Sequence, residues 1–337
     1  MNNVSLAVAV ISVAILSASI SANATDYPLQ IENCGHTLTF DEAPKRSVAV
    51  GQSATEMLYA LGLAETVQGT SVWFNDISGE FAETDAKIPR LADNEPSFES
   101  VLSTQPELVV AQFSSQVGEQ GGVATREQFH ELGVETYVMP ADCVGKDNSV
   151  GDGVRSDSFD VETVYEAIAE LATIFDIEDR GETLTAELKQ RQEAATARAE
   201  QLGLGDVSGV FWFSSVEAGS DPFVAGQRGI PASMMATLGM TNVVESKEEW
   251  PTVGWETIAR ADPDVIMIAR MDRRRYAADD FESKLEFLKS DPVTSQMTAV
   301  KNDRIIIVDA HAVHASVRMF EGLEAMADGL ENAGLAQ

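Results

Sequence analysis

Ser97-Phe-Glu-Ser-Val-Leu-Ser-Thr-Gln-Pro-Glu-Leu-Val-Val110 has a second copy in this chain, Gly254-Trp-Glu-Thr-Ile-Ala-Arg-Ala-Asp-Pro-Asp-Val-Ile-Met267. Both copies run aromatic, Glu, a mixed stretch, Pro, acid and then an apolar run. Glu99 precedes Pro106 at the spacing with which Glu256 precedes Pro263. Proline disfavours helical backbone in the residue before it. Each copy is therefore expected to hold a short helix, over 99–105 and 256–262, that stops at the proline. Residues 108–111 and 265–269 then read as buried strands, short apolar runs of the kind a covered sheet requires. A recurring helix–Pro–strand unit implies two related lobes. The alternative is chance recurrence of a common α/β element.

Working outward, the chain alternates strand and helix. Residues 27–40 alternate apolar and polar around Asn33-Cys34-Gly35, a hairpin pattern. Residues 47–50 read as a strand, Gly51-Gln52-Ser53 as the turn after it, and 54–61 as a helix closed by Gly62. Ser53 and Glu56 are spaced for a capping box. Strands follow at 67–70 and 134–139, with a helix near 125–132. Residues 112–122 and the Gly-, Asp- and Ser-rich 142–158 read as loops, the latter on the surface. Residues 159–175 show helical periodicity. Residues 180–202 form a longer, mostly polar helix, which between two repeated halves reads as a rigid strut. The pattern then restarts with a strand at 207–213, a helix at 232–238 and a short strand at 242–244. After the second unit come a helix at 281–288, a last strand within 299–309 and a helix at 319–330. Such alternation implies parallel sheets. Sheets of this kind bind ligands at the carboxyl ends of their strands, and in two lobes those ends face each other across a cleft.

The 337 residues suit two cores better than one. Residues 1–24 carry no charge, 6–20 are apolar, and Ala22-Asn23-Ala24 is an A-x-A cleavage site. A secretory signal peptide cut before Thr25 is expected. The alternative is an uncleaved anchor, for which the run falls short of the ~20 residues of a membrane span. No cysteine at the cleavage site marks a lipid anchor. The expected organisation is a leader over 1–24, an N-terminal lobe over 25–178, a linking helix over 179–203 and a C-terminal lobe over 204–337.

Cys34 and Cys143 are the two cysteines. In an oxidising compartment they pair most simply as one disulfide, tying the N-terminal segment to the end of a later strand. Two free buried thiols are the alternative. Without a histidine cluster beside them they do not make a zinc site. The net charge of −31 repels nucleic acid and anionic lipid. It fits solubility in a salty medium and makes any local arginine cluster informative.

Across most of the mature chain the residues resemble the class III substrate-binding proteins of ABC importers. The matching pieces are Leu38-Thr-Phe-Asp-Glu-Ala-Pro-Lys-Arg-Ser-Val-Ala-Val50, Thr55-Glu-Met-Leu-Tyr-Ala-Leu-Gly62, Ile88-Pro-Arg-Leu91, both Glu/Pro units, Glu131-Leu-Gly-Val134, Leu238-Gly-Met-Thr-Asn-Val243 and Lys301-Asn-Asp-Arg-Ile305. Their order and spacing, not any single piece, carry the resemblance. It implies an α/β protein of two Rossmann-like lobes with parallel sheets, joined by one long rigid α-helix, with the ligand cleft between them. It implies a periplasmic, monomeric carrier of ferric siderophore, haem or cobalamin, a ferric siderophore first among these. Its partners would be an inner-membrane permease and its ATPase, and Glu99 and Glu256 would dock on permease arginines. Two features depart from the family: the 142–158 insertion bearing Cys143, and ligand loops with no pattern specific to one ligand.

Cleft loops are expected at 51–53, 71–75, 112–116, 140–146, 212–216, 227–230, 250–252, 270–276 and 310–318. Trp73, Phe74, Phe113, Trp212, Trp250 and Tyr276 fall in them and would offer a bulky ligand apolar area and stacking. Each taken singly also fits a core or rim position. Arg270, Arg273, Arg274 and Arg275 cluster, and Arg228 and Arg318 lie in other cleft loops. Arginine grips oxyanions through a bidentate fork, which suits an anionic iron chelate. The alternative is a surface charge run paired with Asp272, Asp279 and Asp280. His311 and His314 suit haem-iron ligation, or a hydrogen-bonding or structural role. Three or four converging ligands for a bare metal are not evident. Gly51-Gln52-Ser53 begins like a nucleophile elbow, but position 55 is Thr where the elbow needs Gly. No Walker A loop or G-x-G-x-x-G follows a strand. Neither catalytic residues nor a cofactor is expected, beyond a bound iron chelate. An enzyme on the same scaffold is the alternative from another class.

Overall fold

The computed structural model of the protein describes residues 24–119, 121–149, 153–204, 207–273 and 275–335. The expected leader, apart from Ala24, and Arg274 lie outside the described residues. Strands β1 (Leu29–Asn33) and β2 (His36–Phe40) form the expected antiparallel hairpin. Then come β3 (Ser47–Val50), β4 (Val67–Ser71), β5 (Arg90–Ala92), β6 (Leu108–Ala111) and β7 (Glu135–Val138). These make one parallel sheet in the order β5-β4-β3-β6-β7. β3 and β6 are buried at every position, as strands covered on both faces must be.

A small antiparallel pair, β8 (Lys146–Asp147) and β9 (Val154–Arg155), precedes the second sheet. That sheet contains β10 (Ser208–Ser214), β11 (Phe223–Val224), β12 (Thr241–Asn242), β13 (Val265–Arg270) and β14 (Ile305–Asp309). Its order is β11-β10-β13-β14, with β12 parallel to the start of β10 and only β11 antiparallel. The two sheets share a plan. β3 lies beside β6 as β10 lies beside β13, and β7 and β14 are the next strands outward. The fold is the expected two-lobed α/β architecture.

The repeated units occupy equivalent places, ahead of β6 and ahead of β13. The first helix, Phe98–Leu102, ends earlier than the proline rule alone predicts, and the second, Trp255–Ala261, ends on it. In both, the residue before the proline is left-handed, Gln105 at φ 53° and Asp262 at φ 46°. Residues 103–105 finish the first helix as a hydrogen-bonded turn, Gln105 N donating to Leu102 O at 2.9 Å. A left-handed residue then redirects the chain into the strand.

The linking helix runs Glu178–Leu202 and closes on Gly203 at φ 59°, where a side chain would be strained. Its buried positions Leu184, Leu188, Ala195 and Ala199 form one stripe. It packs on the helix Glu162–Ile174 of the first lobe and on the helix Met319–Asn332 of the second. Arg191 grips Glu324 through two bonds of 2.9 and 2.7 Å, and Arg198 pairs with Asp328 and Glu331. The helix is therefore bonded along its length rather than held only at its ends.

Several local expectations are corrected. The helix Gln52–Ala60 begins one residue before Ser53, with Gly51, which has no side chain, as its cap residue, and Glu56 is drawn inward to Arg318 instead of completing a capping box. Residues 114–117 form a short helix inside the expected 112–122 loop. Residues 142–158 are not merely a surface loop: Asp142 and Arg155 are buried. Cys34 and Cys143 are joined as a disulfide, so this segment is tied to the β1–β2 hairpin.

Candidate functional site

A cavity of about 590 Å³ lies between the two sheets. Its walls are built by the segments that follow β4, β6, β7, β10, β13 and β14, the carboxyl ends where open sheets leave room for ligands. The floor is aromatic. The His314 ring lies 5.0 Å from Phe74, 6.1 Å from Phe113 and 6.1 Å from Phe213, and Phe213 lies 4.6 Å from Trp250. Rings at these separations pack edge-on or tilted and exclude water from their shared faces.

One wall is a saturated polar network. Arg155 Nε donates to Glu249 Oε2 at 2.9 Å, and its Nη2 donates to Ala141 O at 2.9 Å. Lys146 Nζ lies 2.9 Å from Asp142 Oδ1 and 4.0 Å from Glu249 Oε2. Asp142 Oδ2 also accepts from Ser114 N at 2.6 Å. Arg155 sits on β9 and Glu249 beyond β12, so this network binds the 142–158 segment across to the second lobe.

The opposite wall is unsaturated. The Arg273 guanidinium stacks over Phe74, 4.3 Å from the ring centre, and donates to Asn94 Oδ1 at 3.3 Å. No carboxylate pairs with Arg273 or Arg275 among the described residues, and Arg273 Nε is buried without a partner. Burial, with Arg275 nearby, holds the Arg273 pKa below the usual arginine range, though an arginine so placed keeps its charge. Asp279 is already engaged, accepting from the backbone N–H groups of Arg275 at 2.6 Å and Tyr276 at 2.8 Å and from the Ser214 hydroxyl. His314 is neutral. Burial, then the charges of His311, Lys146 and Arg273, lower its pKa to about 3, and its Nε2 has no partner. The cavity thus combines an apolar floor with one free imidazole nitrogen and two arginines, Arg273 and Arg275, that no carboxylate pairs with among the described residues.

The periplasmic binding protein family model matches residues 48–312. The chain belongs to the periplasmic binding protein family. Members of this family are binding proteins, and the architecture is that of the class III substrate-binding proteins. An uncharacterized ABC transporter substrate-binding lipoprotein of Bacillus subtilis strain 168 is 22% identical over 308 residues, covering 90% of this chain and 86% of that protein. The crystal structure of an ABC-type Fe3+-hydroxamate transport system from Saccharomonospora viridis DSM 43017 superposes with a TM-score of 0.73 at 25% identity, covering 90% of this chain and 99% of that one. A periplasmic heme binding protein from Pseudomonas aeruginosa superposes with a TM-score of 0.66 at 19% identity, covering 87% and 94%.

Within this family fold the candidate residues separate. Phe74, Phe113, Trp250, Arg273 and Tyr276 line the cavity. Trp212 does not. It is wholly buried on the other face of β10, 4.7 Å from Trp255, because one step along a strand reverses the side chain. Phe213 takes the cavity side, and the strand's alternation was the signal for it. Trp73 is buried beneath the Arg90 guanidinium at 4.2 Å. Arg228 donates to the carbonyl oxygens of Arg155 and Ser156, and Arg270 lies 3.6 Å from Asp309. Arg155, Lys146 and Glu249 escaped the sequence reading, since nothing local marks partners so far apart in the chain.

Arg318 and His311 turn away from the cavity to a buried cluster. Arg318 Nε donates to Glu56 Oε2 at 3.0 Å and its Nη2 to Asp76 O at 3.0 Å, while Nη1 lies 3.5 Å from Asp309. His311 Nε2 is 3.4 Å from Glu56 Oε2, and Gln52 Nε2 donates to Glu56 Oε1 at 3.2 Å. Burial pushes the Glu56 carboxyl up, but His311 and Arg318 together outweigh it and hold it below the ordinary range. Asn75 adds a further bridge, donating to Arg270 O at 3.1 Å and accepting from Asp272 N at 2.7 Å. Glu99 and Glu256 are exposed in the first turns of their helices, one per lobe.

Proposed function

We propose that the protein captures an anionic metal chelate, a ferric siderophore, in the interlobe cavity and passes it to an ABC permease and its ATPase. The observation that carries this reading is Arg273 with Arg275, cations without carboxylate partners above an aromatic floor. In a chain of net charge −31 such groups are kept for an anion. The 25%-identical Fe3+-hydroxamate relative supports the iron class. Glu99 and Glu256, exposed and one to a lobe, serve as the permease contacts. The linking helix, bonded along its length, and the Glu56–Arg318 cluster limit closure of the lobes to a small movement. The protein works as an exported monomer, and binding rather than catalysis is its task.

Native mass spectrometry with ultraviolet–visible absorption, on protein purified from its host, tests the reading. A charge-transfer band of a ferric hydroxamate or catecholate with the matching mass supports it. Ester turnover, or a bound ligand without metal, would overturn it. A second reading rests on His314. A neutral imidazole whose Nε2 is unpartnered among Phe74, Phe113 and Phe213 suits an axial bond to haem iron. A Soret band abolished by His314→Ala would select that reading, and a corrin spectrum would select cobalamin.

A further inference from the structure

Thr25 is held at the base of the linking helix by two carboxylates. Its backbone nitrogen lies 2.6 Å from Asp176 Oδ1. Its hydroxyl lies between the Thr173 carbonyl oxygen, 3.0 Å away, and the Glu178 carboxylate. Neither Asp176 nor Glu178 forms a salt bridge among the described residues. The nearest basic side chain in sequence, Arg180, is turned to the carbonyl oxygens of Leu61 and Gly62 at 3.4 and 3.2 Å. On the same segment Tyr27 donates to Ile174 O at 2.8 Å. Its phenol is pushed up to about 12 by burial and then by the charges of Asp176 and Glu178. Asp26, the next residue in the chain, carries a further negative charge. Ala22-Asn23-Ala24 ends immediately before it.

We propose that the chain is cut between Ala24 and Thr25 and that the ammonium group so formed clasps Asp176 and Glu178, fastening the new N-terminus to the start of the linking helix. The cut is a hydrolysis. A secretory peptidase uses one water to leave a carboxylate on Ala24 and an amine on Thr25, which takes a proton from solvent. An amide nitrogen offers one hydrogen and no charge. The ammonium offers three hydrogens and a full charge, enough for both carboxylates at once. Only a cut at this bond places the charge there, since a chain one residue longer or shorter carries it about 3.5 Å away. The folded-state pKa of the ammonium is then raised above its ordinary 7.7 to 8.0. The clasp is complete below that range and is lost as pH rises through the higher folded value.

The test uses protein exported by a bacterial host. N-terminal sequencing is expected to read Thr-Asp-Tyr-Pro. Reductive methylation of the α-amine with 13C-formaldehyde, followed by nuclear magnetic resonance titration, is expected to give a pKa at least about 0.5 units above the ordinary range. Asp176→Asn is expected to return it toward that range. Asparagine tolerates the left-handed φ of 57° at this position, so the fold is kept. Glu178→Gln provides a second lowering. A first residue other than Thr25, an uncut chain, or an ordinary α-amine pKa unchanged in both variants each overturns the proposal.

Discussion

Arg318 and Arg273 both enter the space between the lobes from segments that follow second-lobe strands, yet they meet opposite surroundings. Arg318 is sealed against Glu56, Asp309 and a carbonyl oxygen, with 6% of its side chain exposed. Arg273 stacks on Phe74, touches one amide oxygen and leaves Nε unpaired. Both were expected to grip ligand. The difference teaches that an arginine's role is decided by whether a carboxylate reaches it first. Glu56, one helix turn beyond β3, reaches Arg318. Of the two acids whose charges act on Arg273, Asp279 is taken by backbone amides, and Glu95, exposed at the cavity edge, forms no salt bridge with it among the described residues.

Breaking the sealed site should have the largest effect. Glu56→Ala removes the carboxylate beside His311 and leaves Arg318 only Asp309, 3.5 Å away, and loss of one partner of a buried pair costs about 3–5 kcal/mol. Denaturant unfolding is expected to show that loss, and an unchanged midpoint would place Arg318 among the open groups instead. Arg273→Ala sharpens the contrast from the other side. It should weaken binding of the chelate about tenfold to a hundredfold, or roughly 1.4–2.8 kcal/mol, while unfolding stays within about 0.5 kcal/mol of wild type. Fluorescence titration through Trp250 reads the affinity. Equal affinity in variant and wild type would remove Arg273 from the binding surface.

His314 separates the two sites by pH. Its folded pKa, near 3, lies below the ordinary imidazole value of 6.5. Stability from the neutral ring is present above that value and is lost as pH falls, by about 2 kcal/mol at pH 5. His314→Gln should flatten the stability profile between pH 6.5 and 4.5. Glu56, also depressed, acts only at and below the ordinary carboxylate range and should govern the acid limb in both proteins. A profile identical in the variant would show that His314 titrates normally. The smallest effect on the isolated protein belongs to Glu99→Arg with Glu256→Arg. Both sites are exposed, so stability and ligand affinity should hold while uptake in cells is lost. Intact uptake would end the docking assignment.

The repeat, the alternation of strands and helices and the long helix were legible because they rest on local rules: apolar periodicity, glycine closure and the restriction before proline. The cavity was half legible. Phe74, Phe113, Trp250, Arg273 and Tyr276 could be placed by counting from strand ends. Trp212 was misplaced by one residue, which in a strand means the opposite face. Arg155 could not be found, since its partner Glu249 is 94 residues away.

The sequence by itself determined the duplicated α/β plan, because each element's periodicity and stop signals lie within a few residues. It also determined the placing of five cavity residues at strand ends. Tertiary structure alone decided which charges are spent and which are free. Neutralisation depends on carboxylates brought from distant segments, as Glu56 is brought to Arg318 across 262 positions. That pairing, and not the residue type, separates the sealed cluster from the open wall of the cavity.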